Sequence, residues 1–461
     1  MMNKILLLFP DGVGIRNYLY SNVFKGNEAN LVLFHAFDTA TEHRVKQLTQ
    51  IENSSTIPTY KETLIEKFLR ELICLSRLKY NSKLVANKTI LTNWKSNHKG
   101  FSKKIFYFLV QFVSLFIIRY SQIQGLEKRY QKAIRNTDYY RKIRTVLQEI
   151  QPQKIFCSHQ RGIQCAPIFA AAKDLGIETL TVIYSWDNLP KARMALQADK
   201  YLVWSDYMKQ ELKLYYPEIS SEQIFVTGTP QFECYQEQHN ILSKEVFFDK
   251  YNLDLDKKII CYSGDDVKTC PDDPQYLADL ADELERNNLT DTYQILLRRC
   301  PVDISGRFDT VVAKYPNLIK EAPPLWNFEA NSNWTTIYPL PDDVQLLVST
   351  AYHCDVVVNL GSTMAFDFAM FQKPCIYINY DQKEKIHPNW SVQTIYKYQH
   401  FRSMPNEKAV YWWNSKRDLA LLINNCKDET DLSSINEWMG LIIGNSNEAS
   451  LNISKLLLHD H

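Results

Sequence analysis

The stretch DVVVNLGSTMAFDFAMFQKPCIYIN, residues 355–379, decides the fold class. A β-branched apolar run leads into a glycine–hydroxyl turn, a short apolar segment follows, and a second apolar run begins after Lys-Pro. A strand, a helix and a strand in this order lie parallel in one sheet, because the crossover helix returns the chain to the same edge. The stretch therefore predicts a parallel α/β fold in which the turn at Gly361, Ser362 and Thr363 opens a helix.

The same alternation of strand and helix extends outward through most of the chain. The apolar runs before about residue 235 are KILLLF, NLVLFHAF, KIFCSH, TLTVIYS, KYLVWS and QIFVTG, and those after about residue 256 are KIICYSG, YQILLRR, DVVVNLG and PCIYIN. Two such series predict two Rossmann-like α/β domains, 1–235 and 236–461, facing a cleft. In sheets of this kind ligands bind beyond the carboxyl ends of the strands.

The region from about 58 to 150 departs from this alternation, because it is long, basic and helix-rich without evident strands. It predicts a helical insertion in the first domain. Its apolar run, Ile105–Ile118, is shorter than the roughly 20 residues that span a bilayer. Two interpretations stay open, a buried helix and a helix lying in a membrane interface. Basic residues flank the run: Lys103, Lys104, Lys128, Arg129, Lys132 and Arg135.

Composition narrows the function classes. The chain has 461 residues, of which 45% are apolar and 23% charged, as in ordinary globular proteins. A formal charge of +1 gives no reason to expect a nucleic-acid partner. The ten cysteines contain no CxxC pair and many lie in apolar runs, which is typical of reduced core thiols. We therefore expect a cytoplasmic protein without zinc or disulfides, either free or at the inner face of the cytoplasmic membrane.

Polar residues follow three predicted strands of the second domain. The backbone N–H groups of the turn 361–363 and the positive end of its helix suit a phosphate. Asp367, one turn further on, could hold a ribose hydroxyl. An ordinary capped helix explains the same turn. The other strand ends offer hydroxyl, backbone and guanidinium groups that could grip a diphosphate: Ser263, Gly264, Arg298 and Arg299.

The first domain presents three candidates for chemistry at strand ends. Asp11 lies in the loop PDGVGIRN, and His159 lies in SHQR. Either side chain could be a general base, and the alternatives are a simple βα turn that uses glycines and a structural histidine. Asp187, in SWDNLPKAR beside Trp186, suits a sugar whose ring packs on the aromatic face, and an Asp-Asn turn is the alternative.

The order of these motifs resembles bacterial GT-B-type glycosyltransferases of surface-polysaccharide synthesis. The resemblance covers about residues 155–405 and the glycine loop at the start of the chain. It rests on these motifs, in this order: SWDNL, the VW strand, VTGTPQFE, LLR-x-x-P, DVVVN-x-GST-x-x-x-D and KP-x-I. Related folds occur in CDP-glycerol glycerophosphotransferases and UDP-N-acetylglucosamine 2-epimerases. Many relatives have a histidine before the proline of the arginine segment, and Cys300 takes its place here.

The resemblance implies a nucleotide-diphosphate sugar as donor and a glycan or lipid-linked acceptor. The turn 361–363 would hold the donor diphosphate, and Asp367 would lie near the ribose. No convincing DxD motif follows a strand, so we expect neither a metal nor a cofactor. Asp11 and His159 compete for the role of base, and the charge of Arg161 favours Asp11 by opposing an imidazolium. A 2-epimerase and a non-catalytic nucleotide-sugar-binding protein are the alternatives.

Overall fold

The computed structural model describes residues 4–95, 99–328, 337–428 and 431–458. The chain divides into two compact units. The first contains Met1–Gln231, Tyr398–His400 and Ile442–His461, and the second contains Phe232–Lys397 and Phe401–Leu441. The domain bounds expected from the sequence, 1–235 and 236–461, stay a prediction.

The first unit is built on a seven-stranded parallel sheet. Its strands are β1 (Ile5–Phe9), β2 (Leu31–His35), β3 (Ser54–Thr56), β4 (Lys154–Cys157), β5 (Glu178–Val182), β6 (Lys200–Val203) and β7 (Ile224–Val226). All residues of β1 and β4 are buried, as expected for central parallel strands covered on both faces. The strand order is β3-β2-β1-β4-β5-β6-β7, so the direction of winding reverses between β1 and β4.

The second unit contains a six-stranded parallel sheet and a two-stranded antiparallel ribbon. The strands are β8 (Lys258–Ser263), β9 (Tyr293–Arg298), β10 (Ile319–Glu321), β11 (Trp326–Asn327), β12 (Tyr338–Pro339), β13 (Val356–Asn359), β14 (Cys375–Ile378) and β15 (Tyr411–Trp413). The sheet has the order β10-β9-β8-β13-β14-β15, and the ribbon pairs β11 with β12. The winding of this sheet reverses between β8 and β13.

Helices connect the strands in both units. Up to the end of β7 they are α1 (Thr39–Thr49), α2 (Leu64–Leu84), α3 (Phe101–Ser114), α4 (Tyr120–Arg135), α5 (Asp138–Ile150), α6 (Cys165–Asp174) and α7 (Asp206–Tyr215). Those that follow are α8 (Lys244–Lys250), α9 (Asp273–Arg286), α10 (Asp309–Lys314), α11 (Pro341–His353), α12 (Met364–Ala369), α13 (Val392–Ile395), α14 (Leu419–Asp428), α15 (Ser433–Ile443) and α16 (Ala449–Leu458). Two parallel α/β sheets confirm the fold class predicted from the alternation of strands and helices.

Helices α2–α5 form the helical insertion that the sequence predicted for residues 58–150. α2 begins with a capping box, in which Glu66 N–H donates to Thr63 Oγ1 and Thr63 N–H donates to Glu66 Oε2. α3 lies wholly within the described residues and buries Val110 and Ser114 alone. The interpretation of Ile105–Ile118 as a buried helix is therefore wrong, because α2 covers one side of α3 and leaves its other side in solvent. Within the described ranges, no helix has the length and apolarity that a membrane span requires.

The sequence missed the edge strands β3, β10 and β15. β3 reads Ser-Ser-Thr and carries no apolar side chain, and β10 has three residues. An edge strand pairs on one side and buries less surface than a central strand, so its sequence has a weak apolar signal. β15 reads Tyr-Trp-Trp and is equally short.

Candidate functional site

Three loops of the first unit leave the sheet at one edge. Leu8 of β1 is in register with Cys157 of β4, and Cys157 is in register with Thr181 of β5. Because these strands are parallel, the loops that follow them carry Asp11, His159 and the SWDN sequence to the same carboxyl edge. The loops that carry Asp11 and His159 follow β1 and β4, between which the winding reverses. That position is the usual ligand site in open α/β sheets.

Asp11 and His159 form a hydrogen-bonded pair. Asp11 Oδ2 lies 2.7 Å from His159 Nδ1, and the two side chains are 9% and 12% exposed. Asp11 Oδ1 accepts the backbone N–H of Val13 at 3.1 Å, which fixes the carboxylate. An ionised carboxylate only accepts hydrogen bonds, so Nδ1 donates to Asp11, and Nε2 has the lone pair whenever the imidazole is neutral. The two residues that the sequence treated as competing bases are therefore partners.

The glycine loop that carries Asp11 packs closely on the loop that carries His159. A Cβ atom added at Gly14 would lie 2.5 Å from Ser158 Cβ, nearer than two carbon atoms can approach. The residue must therefore be a glycine, because the loop after β1 runs directly against the loop after β4. This close approach helps to keep Asp11 within hydrogen-bonding distance of His159.

Asp187 is held inside its own loop. Its Oδ1 accepts from Ser185 Oγ and Asn188 Nδ2, both at 2.8 Å, and its Oδ2 pairs with Lys191 Nζ. Burial would raise the pKa of Asp187, but the charges of Lys191 and His400 and the hydrogen bonds outweigh it and hold that pKa well below its ordinary value. Asp187 therefore stays ionised and stabilises the loop. Contact between Asp187 and a sugar stays a prediction.

Trp186, which the sequence suggested as a sugar platform, is 5% exposed. Its ring packs edge-on against the ring of His400, with a centroid distance of 4.8 Å. Burial lowers the pKa of His400 to about 4, although Asp187 opposes this shift. The indole is therefore part of the packing of the SWDN loop and leaves little surface for a sugar ring.

Gln160 joins the loop after β4 to the loop after β5, a role that no sequence pattern predicts. Its side-chain Nε2 donates to Asn188 Oδ1 at 3.1 Å, and its Oε1 accepts the backbone N–H of Tyr184 at 3.2 Å. Gln160 is buried. The residue lies inside the SHQR motif beside His159, but a buried amide is recognised only once its partners are known.

Glu211 is a buried carboxyl group on α7 of the same unit. Burial and the negative charge of Asp187 raise its pKa to about 8, against an opposing hydrogen-bond contribution from Tyr207. Glu211 is therefore mostly protonated at neutral pH. In the sequence, Glu211 is one of several polar residues of an amphipathic helix. Such residues ordinarily face solvent, so no sequence signal indicates that Glu211 is buried.

The second unit has a matching arrangement at its own point of winding reversal. Ser263 of β8 is in register with Arg298 of β9, and Tyr262 is in register with Val358 of β13. Ser263 and Arg298 therefore end beside Asn359 at the carboxyl edge. Gly264 continues from β8 and donates its backbone N–H to the carbonyl of Arg298 at 2.9 Å.

The turn at 361–363 is fixed by short-range hydrogen bonds. Gly361 has a φ of +71°, and a Cβ atom there would lie 2.6 Å from Phe401 Cζ, so a glycine is required. Asn359 Oδ1 accepts the N–H of Ser362 at 2.8 Å, and Ser362 Oγ accepts that of Met364 at 3.3 Å. Within the described residues, no hydrogen bond uses the hydroxyl of Thr363, which is partly exposed.

Arg298 and Arg299 each have carboxylate partners inside the unit. Arg298 Nη2 donates to both carboxylate oxygens of Asp343, at 3.1 and 3.0 Å, and both side chains are buried. Arg299 Nη2 pairs with Asp309 at 2.9 Å and also with Glu321. Both guanidinium groups thus stabilise the packing around the end of β9. Their contact with a diphosphate stays a prediction.

Asp367 is buried near the start of α12. Its Oδ1 accepts the hydroxyl of Tyr235 at 2.7 Å. A carboxylate has a second oxygen and can accept further hydrogen bonds, but its burial limits access to a ribose. The ribose contact of Asp367 stays a prediction. In the described parts of the chain, no cluster of three or more His, Cys, Asp or Glu side chains is placed to hold a metal ion.

No protein-family model and no curated protein matches this chain. Solved structures match it over nearly its whole length. The fold resembles UDP-GlcNAc 2-epimerases. The enzyme from Neisseria meningitidis bound to UDP-GlcNAc has a TM-score of 0.54 and 10% identity, covering 99% of this chain and 100% of that one. The UDP-N-acetylglucosamine 2-epimerase from Rickettsia bellii has a TM-score of 0.52 and 12% identity, covering 99% of this chain and 95% of that one.

The S. aureus MnaA–UDP co-structure is a further match, with a TM-score of 0.51 and 12% identity, covering 98% of this chain and 94% of that one. At sequence identities this low, the structural matches establish the fold alone. The matched fold agrees with the two parallel-sheet α/β units described above.

Proposed function

We propose that the chain is a glycosyltransferase that moves a sugar from a nucleotide-diphosphate sugar to a hydroxyl of a surface-polysaccharide or lipid-linked acceptor. The observation that carries the catalytic part of the proposal is the Asp11–His159 hydrogen bond of 2.7 Å at the winding reversal of the first sheet. A carboxylate-oriented histidine at that position is suited to accept a proton from a substrate.

In the proposed reaction, His159 Nε2 removes the proton from the acceptor hydroxyl. The acceptor oxygen then forms a bond to the anomeric carbon while the bond from that carbon to the diphosphate breaks, and the diphosphate leaves with the electron pair. Asp11 holds the imidazole in position and stabilises the imidazolium that forms. This assignment makes Asp11 a positioning residue, and it corresponds to inversion at the anomeric carbon.

The second unit would bind the donor diphosphate at the turn 361–363. The turn is preformed, and Thr363 offers a partly exposed hydroxyl. Solved structures of similar fold hold UDP or UDP-GlcNAc, which supports a nucleotide sugar as the ligand. Because Arg298 and Arg299 have internal partners, backbone N–H groups and the hydroxyl would supply most of the donor contacts in this proposal.

A nucleotide-sugar 2-epimerase is the second candidate, because the similar solved structures are named as UDP-GlcNAc 2-epimerases. An epimerase needs a base for the proton on C2 of the sugar and needs no acceptor. A histidine held by a carboxylate could serve either reaction.

Turnover assays on the full chain separate these functions. Thermal stabilisation by a panel of nucleotide sugars first identifies the donor, since a ligand that binds the native state raises the melting temperature. Acceptor-dependent release of the nucleotide diphosphate is the expected result. Epimerisation without any acceptor would establish the second candidate. Donor binding with neither transfer nor epimerisation would instead indicate a non-catalytic binding protein.

A further inference from the structure

Helix α3 exposes an apolar face that no described part of the chain covers. Phe108, Phe112 and Leu115 are 63%, 50% and 62% exposed. The positions follow one another at intervals of three or four residues, so the side chains share one face of the helix. The same face and its continuation past the helix end also expose Phe101, Ile105, Leu109, Phe116 and Ile118.

The opposite face of α3 packs against α2. The ring of Phe106 packs edge-on against Phe68 of α2 at a centroid distance of 6.0 Å. Lys79 Nζ of α2 donates to Ser114 Oγ at 2.7 Å. The helix is therefore anchored on one side and presents large apolar side chains on the other. The exposed rings also contact one another, with Phe112 and Phe116 centroids 5.4 Å apart.

The chain segment that contains this face carries charge of one sign. The sequence contains no aspartate or glutamate from Leu72 to Leu126. Exposed cations lie beside both ends of α3: Lys95, Lys99, Lys103, Lys104 and Arg119. An apolar aromatic face bordered by lysine and arginine has the chemistry of a surface that binds anionic phospholipids.

We propose that the exposed face of α3 binds the interface of an anionic phospholipid bilayer, with its phenylalanines among the acyl chains and its lysines at the headgroups. A second copy of the chain fits this face less well. In a symmetric dimer the same surface of both copies forms the interface, so the basic residues of the two copies would lie close together and repel each other. The membrane surface removes this repulsion, because its lipids carry the opposite charge. The proposal goes beyond the proposed sugar transfer and does not depend on it.

Vesicle co-sedimentation of the full chain tests the proposal. The wild type is expected to bind phosphatidylcholine vesicles with 30% phosphatidylglycerol and to bind pure phosphatidylcholine vesicles much less. The variant Lys103→Gln/Lys104→Gln should bind about thirtyfold more weakly, from roughly 1 kcal/mol per basic residue. The variant Phe108→Ser/Phe112→Ser/Leu115→Ser should lose binding.

Matched controls lie on the second unit. The residues Ile304, Ile386 and Leu421 are similarly exposed, at 63%, 58% and 65%, and their triple serine variant should bind vesicles as the wild type does. The exposed pair Lys268 and Lys383 serves as the charge control, with both lysines changed to glutamine. Circular dichroism and donor-induced thermal stabilisation should be unchanged in every variant, so a failure here is distinct from a failure of the proposed function.

Three outcomes would overturn the proposal. The first is that wild-type protein binds no vesicles at any ionic strength. The second is that the α3 variants bind as well as the wild type. The third is that light scattering shows a wild-type dimer, that the triple α3 variant is a monomer, and that neither binds vesicles. The third result would assign the face to a second copy of the chain.

Discussion

Asp11 Oδ2 and His159 Nδ1 lie 2.7 Å apart although 148 positions separate the two residues in the chain. The hydrogen bond joins the loop after β1 to the loop after β4. It turns two separate candidates for a base into one unit, in which the carboxylate orients the imidazole.

His159→Gln should lower kcat by about 10²–10⁴-fold, the usual contribution of a general base, while donor Kd stays unchanged. Asp11→Asn should also lower kcat, because an asparagine can stabilise the wrong tautomer of the histidine. The double variant should lose little more than His159→Gln alone, since the pair acts as a unit. His239→Gln, at an exposed histidine, is the control. Full additivity of the two effects in steady-state kinetics would contradict the pairing.

Thr363→Val should raise the donor Kd by about 10–100-fold, because a hydrogen bond to a charged ligand contributes about 1.5–3 kcal/mol. Valine has nearly the same shape as threonine, so the melting temperature without ligand should change little. Thr290→Val is the matched control, because Thr290 is partly exposed before β9, at the other edge of the sheet. Isothermal titration calorimetry measures the effect. Equal donor affinity in the two variants would remove the hydroxyl from the donor site.

Arg298→Ala should destabilise the protein by about 3–5 kcal/mol, because it leaves Asp343 as a buried carboxylate without its cation. The sequence suggested instead that Arg298 grips a diphosphate, and loss of that contact would weaken donor binding. Urea denaturation followed by circular dichroism measures the free energy of unfolding. If stability is kept and donor affinity falls instead, the guanidinium contacts the diphosphate.

Glu211→Gln should flatten the pH dependence of stability. The pKa of Glu211 is raised to about 8 in the folded protein, so from its ordinary value near 4.5 up to about pH 8 the native state binds more of this proton than the unfolded state does. The contribution of Glu211 to the free energy of unfolding is therefore fully present at acid pH and is lost as pH rises through that window. The loss is on the order of a few kcal/mol.

The glutamine variant cannot ionise, so it should be more stable than the wild type at pH 9 and similar to it at pH 5. Melting temperatures between pH 5 and pH 9 give the comparison. Glu285→Gln, at an exposed glutamate of α9, is the control and should follow the wild type throughout. A wild-type curve parallel to that of Glu211→Gln would show that Glu211 titrates normally.

The sequence by itself determined the features that depend on neighbouring residues. Apolar runs alternating with helical segments predicted two parallel α/β units and the helical insertion, because burial on both faces of a strand leaves a continuous apolar run. The glycine at 361 marked the tight turn, since its positive φ is a local requirement. The loops at the strand ends were predicted because they begin where the apolar runs stop.

Only the tertiary structure decided which side chains meet and which stay uncovered. Asp343, the partner of Arg298, lies 45 positions further along the chain, and no local pattern connects the two. The exposure of α3 depends equally on which helices pack against it, so its apolar run is compatible with a core or with a surface. Pairing and burial are properties of distant segments brought together, and the periodicity of a sequence records only what each segment requires by itself.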